Sequence, residues 1–94
     1  MAKIIIPTPL RKFTDGESTF ETTAFTVDDA ISELLESYPD LKPHLLDNND
    51  KIRSFIKIFV GEDDIKALDG ESTNLEENTI VSIVPAIAGG ISDL

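Results

Sequence analysis

One stretch of this chain reads as an amphipathic helix, and the β-prone runs all lie outside it. Apolar residues fall at Val27, Ala30, Ile31, Leu34, Leu35 and Tyr38, which is one continuous face of a 3.6-residue repeat. Ser32, Glu33, Glu36 and Ser37 lie on or toward the other side. Thr26 with Asp29 three residues on is close to a capping box. Asp28 and Asp29 also place negative charge in the first turn, where the helix dipole favours it. Pro39 biases Tyr38 away from helical geometry and closes the segment. A lone helix with one apolar face must cover something, and the rest of the chain offers a sheet.

Residues 3–7 are short and β-branched, and residues 18–24 are rich in Thr and Phe. Thr14-Asp15-Gly16-Glu17 between them is a turn candidate, so the two runs read as a hairpin. Residues 53–60 alternate Ile56, Ile58 and Val60 against Phe55, Lys57 and Phe59. Residues 80–84 set Val81 and Ile83 against Ile80, Ser82 and Val84. The more uniformly apolar sets should face the helix, with Lys57, Phe59, Ser82 and Val84 looking outward. Asp69-Gly70 and Glu76-Glu77-Asn78 read as turns, with Leu75 plugging the core between them. The helix also supplies the crossover needed for a parallel pairing of the first and last strands. The expected class is α+β, a mixed sheet with one main helix across it, compatible with a β-grasp.

The 94 residues leave room for one domain. We expect residues 1–85 to form it and residues 86–94 to be a tail. Eighteen acidic residues against eight basic ones give a net charge of −10. A field of that sign repels nucleic acid and anionic lipid and favours a basic protein partner. The longest apolar stretch is broken by Ser82 and Pro85, and the start resembles no signal peptide, so no membrane role and a cytoplasmic location are expected. The chain has no cysteine, which removes thiolate metal sites and thiol nucleophiles. His44, the one histidine, reads as a surface or partly packed residue. Asp47-Asn48-Asn49-Asp50 resembles the start of a calcium loop, but Lys51 stands at a ligand position, so a polar loop is expected and no metal site. The adjacent pairs Asp28-Asp29 and Asp63-Asp64 suit caps and turns better than a catalytic dyad, and no enzymatic activity or bound cofactor is expected of the chain itself.

The last strand runs into Pro85-Ala86-Ile87-Ala88-Gly89-Gly90, followed by Ile91-Ser92-Asp93-Leu94. With Val81-Ser82-Ile83-Val84 ahead of it, this segment resembles the end of the ubiquitin-like sulfur carriers, the ThiS/MoaD family. The cysteine-biosynthetic branch of that family is the nearest in appearance. Ile6-Pro7-Thr8-Pro9-Leu10-Arg11 and Phe59-Val60-Gly61-Glu62-Asp63-Asp64-Ile65 resemble the same branch, so the likeness spans nearly the whole chain. The resemblance implies that an E1-like enzyme uses ATP to adenylate a terminal Gly-Gly carboxylate, which sulfur then converts to a thiocarboxylate. It further implies delivery of that sulfur on a pyridoxal-phosphate-dependent cysteine synthase, and release by a JAMM-type metalloprotease. Carried onto this chain, Gly90 would hold the sulfur and Gly89 would complete the motif.

Residue chemistry fits this independently. A protein without cysteine cannot hold a persulfide, so a C-terminal acyl group is the remaining protein-borne route. Glycines allow backbone angles other residues cannot adopt and leave a thin end for a narrow channel. Because Ile91 follows Gly90, cutting between them is expected to precede activation. Phe59 and Val84, with Phe55 as a third member, form the expected contact patch for the activating enzyme. Glu62, Asp63 and Asp64 beside it could steer a basic partner or be a solvated turn. Two other roles are compatible with the same end: the small subunit of a molybdopterin-synthase-like complex, and a ubiquitin-like modifier joined to lysines.

Overall fold

The computed structural model describes residues 1–85. Strand β1 (Ala2–Ile5) and strand β2 (Thr19–Thr22) pair antiparallel, with Ile4 opposite Phe20. Helix α1 (Val27–Ser37) follows, and then a short helix α2 (Lys42–Leu45). Strand β3 (Ile56–Val60), the two-residue edge strand β4 (Asp63–Asp64) and strand β5 (Ile80–Pro85) complete the sheet. The strand order is β2-β1-β5-β3-β4, with β5 parallel to β1 and antiparallel to β3. This is the mixed sheet with one main helix that the sequence leads one to expect, a ubiquitin-like β-grasp.

Helix α1 starts where its chemistry says it should. The Thr26 hydroxyl accepts from the Asp29 amide at 3.2 Å, a cap worth about 1 kcal/mol. Val27, Ala30, Ile31 and Leu34 are buried against Ile4, Ile58, Val81 and Ile83 of the sheet, in one continuous core. Leu75 plugs that core as expected, at 6% exposure. Thr22 ties β2 to the helix, its hydroxyl donating to the Glu33 carboxylate at 2.8 Å. The helix ends at Ser37, one residue short of Tyr38, which caps it.

Three local departures have physical causes. The β1–β2 connection is longer than a turn: Pro7 and Pro9 start a 3-10 segment over Thr8–Phe13 that buries Leu10. The expected turn follows it, with Asp15 and Gly16 both at positive φ. Strand β3 begins at Ile56, not at residue 53, because the Ile56 amide donates to the Arg53 carbonyl at 2.9 Å and closes a turn. Leu41, at the end of a 3-10 turn over Pro39–Leu41, and Leu45, in the four-residue helix α2, reach the core at 0% and 1% exposure from pieces too short to show a period. The Asp47 loop is self-contained: its carboxylate accepts from the Asn49 amide at 2.8 Å and the Lys51 amide at 3.1 Å. The Lys51 amide first, then that of Asn49, hold the Asp47 carboxyl below the ordinary carboxylate range.

Candidate functional site

Strand β5 lies at the middle of the sheet, held by β1 on one side and β3 on the other. The described residues therefore end, at Pro85, on the strand that is paired on both sides. Pro85, the last residue of that strand, stands opposite Ile56, and its missing N–H suits a strand end. Gly89, Gly90 and Ile91, the expected attachment and processing residues, lie outside the described residues.

Alternation along the strands decides what surrounds the end of β5. Val81 and Ile83 turn into the core, so Ile80, Ser82 and Val84 turn to the outer face. In the adjacent strand Lys57 lies opposite Val84, and Phe59 lies opposite Ser82. Phe59 and Val84 are thus diagonal neighbours on one face, within reach of an aromatic side chain. Ser82 also stands beside Ile5 of β1. Val84 and Ile80 are each 40% exposed. The outer face accordingly carries an apolar stripe of Ile80, Phe59, Val84 and Ile5 around one serine. Ile5 escapes sequence reading because only the parallel register puts it beside β5.

Phe55 is placed elsewhere. It sits in the turn ahead of β3, 40% exposed, and lines a groove with Phe13, His44 and Pro85. Phe59 and Val84 are not part of that groove. His44 is exposed and stacks on Phe13 with ring centroids 4.2 Å apart. Of the acidic residues near the stripe, Asp63 and Asp64 form the edge strand, with Asp64 directly across from Phe59. The Asp64 carboxylate accepts from the Lys66 amide at 2.9 Å and caps the next 3-10 turn. Asp28 and Asp29 stand in the first turn of α1. Among the described residues, no helix is long and apolar enough to cross a membrane.

The chain is similar to known proteins both in sequence and in fold. The sulfur carrier protein CysO of Mycobacterium tuberculosis is 32% identical over 89 residues, covering 93% of this chain and 96% of that protein. The crystal structure of the BexX/CysO complex of Amycolatopsis orientalis superposes with a TM-score of 0.86 at 29% identity, over 96% of this chain and 100% of that one. Small archaeal modifier protein 1 of Methanosarcina acetivorans shares the fold, with a TM-score of 0.83 at 24% identity over 95% of each chain. The ThiS family profile matches residues 4–90; the chain belongs to the ThiS family.

Proposed function

We infer that this chain is a sulfur carrier for the biosynthesis of cysteine, homocysteine or a related sulfur metabolite, acting as a protein co-substrate of other enzymes. One observation carries the reading: the family match runs to Gly90 and stops there, leaving Ile91-Ser92-Asp93-Leu94 beyond it. Likeness to the CysO relative over nearly its whole length favours the cysteine branch.

Hydrolysis of the Gly90–Ile91 peptide bond frees the Gly90 carboxylate. That carboxylate attacks the α-phosphorus of ATP on an E1-like enzyme, and pyrophosphate leaves. A sulfur nucleophile, sulfide or an enzyme persulfide, attacks the acyl carbon and AMP leaves; with a persulfide, a second thiol attacks the enzyme-side sulfur of the acyl disulfide, forming an enzyme disulfide and releasing the thiocarboxylate. The sulfur then adds to an aminoacrylate on a pyridoxal-phosphate-dependent cysteine synthase, and a JAMM-type metalloprotease hydrolyses the adduct. ATP and pyridoxal phosphate belong to the partner enzymes, and this chain contributes the acyl group and a docking surface.

Intact mass of the untagged protein from its own cells tests the reading. The expected species ends at Gly90 and shows the exchange of one oxygen for sulfur. Only full-length chain, with the protease and activating enzyme present, would overturn it. Lysine-linked Gly-Gly remnants without any thiocarboxylate would favour the modifier role. The stripe supplies a second test. Phe59→Asp is expected to raise KM for adenylation by about tenfold with kcat little changed, because it puts an uncompensated charge into an apolar contact. An unchanged KM would remove Phe59 and Val84 from the contact.

A further inference from the structure

The groove holding Phe55 differs in character from the molecule around it. It measures about 380 Å³ and has Pro85, the end of β5, on its wall. Phe13, Phe55 and Pro9 give it an apolar lining, and its charged residues are Lys12 and Arg53, beside His44. Among the described residues no carboxylate lines it, although the chain as a whole carries −10. Its shape is held from within. The Arg53 Nε donates to the Pro43 carbonyl at 2.8 Å, and the Lys12 Nζ sits 5.3 Å from the centre of the Phe13 ring. Among the described residues neither Lys12 nor Arg53 has a carboxylate within salt-bridge reach.

We propose that this groove receives an acidic segment bearing one aromatic or branched aliphatic side chain, supplied by the enzyme that takes the tail. Burying an apolar anchor against Phe13 and Phe55 supplies contact area. Carboxylates beside it meet Lys12 and Arg53, which set register and orientation more than affinity. A basic segment meets like charge here, so the groove selects a partner of opposite sign from the one the net charge suggests. The partner's identity rests on the carrier reading; the charge preference of the groove does not.

The probe is the blocked hexapeptide acetyl-Glu-Asp-Leu-Phe-Asp-Glu-amide, titrated into the 15N-labelled full chain and into a chain ending at Gly90. A control peptide replaces every acid with Lys. Amide shifts are expected at Lys12, Phe13, His44, Arg53 and Phe55, saturating with Kd of about 0.1–1 mM. Lys12→Glu is expected to weaken binding about tenfold, and Phe55→Ser comparably through the lost anchor. Lys66→Glu, outside the groove, should change it less than about twofold. Equal binding of the basic peptide, or no loss in Lys12→Glu, overturns the proposal. Binding to the shorter chain only would identify residues 91–94 as the occupant and overturn it as well. The intact-mass test fails independently of this titration, so a failure of one is not mistaken for a failure of the other.

Discussion

A chain ending at Gly90 is expected to support ATP–pyrophosphate exchange on an E1-like enzyme, and the chain extended through Leu94 to fall short of it by at least about 100-fold. The reason is covalent. In the longer chain the Gly90 carbonyl belongs to an amide bond with Ile91, and an amide offers no carboxylate oxygen to attack phosphorus. The longer chain does end in a carboxylate, that of Leu94, but four residues displace it from the position Gly90 would occupy. Misplacing a reacting atom by even about 1 Å costs on the order of 100-fold. A leucine side chain must also enter where the family presents glycine. The Gly90→Ala variant of the shorter chain isolates the second effect: its carboxylate is correctly placed, and exchange should fall by about tenfold from the added Cβ. Pyrophosphate exchange reads the adenylation step alone, before sulfur is required. Equal exchange by the two wild-type chains would show that Gly90 is not the acyl group.

How much of this was legible in the sequence depends on the range over which each feature is determined. Helix α1 was fully legible because its cap, dipole charges, apolar face and terminating proline all lie within Thr26 to Pro39. Strands β3 and β5 were legible in alternation, and the residues expected to face outward do so. The start of β3 was not, since it is set by the Arg53–Ile56 turn and the Arg53 amide donates to the distant Leu45 carbonyl. Strand β4 is two acidic residues with no β propensity to announce it. It exists because Gly61, at φ +64°, turns the chain back along β3.

The candidate site divides the same way. Phe59 and Val84 could be paired from alternation alone, once both strands were assumed adjacent. Phe55 was grouped with them by parity, which holds only inside a strand, and residues 54 and 55 turn before the strand begins. Lys12, Arg53 and His44 stand on three separate segments, and no spacing rule could have put them in one groove. Net charge says nothing of this groove, because it averages over a surface whose acids and bases are unevenly distributed.

Replacing Leu34 with alanine is expected to destabilise the domain by about 3 kcal/mol, lowering Tm by roughly 10–20 °C for a chain of this size. Leu34 is fully buried at the middle of the apolar face of α1. Alanine is the best helix former, so the substitution leaves the helix intact and removes only what the helix does for the sheet. The loss is the transfer energy of the deleted atoms plus the cavity left beneath them. Against a total of about 5–15 kcal/mol for a small domain, it is a large fraction. Leu35→Ala, one position on and half-buried, is the control and should cost about 1 kcal/mol. Urea unfolding of the two variants measures both, with equal m-values showing that the same surface is exposed. A Leu34 variant within 1 kcal/mol of wild type would mean that α1 does not seal the sheet. The partner surfaces would then rest on a different core, since the outward placement of Phe59 and Val84 follows from Ile58, Val81 and Ile83 being claimed by the helix.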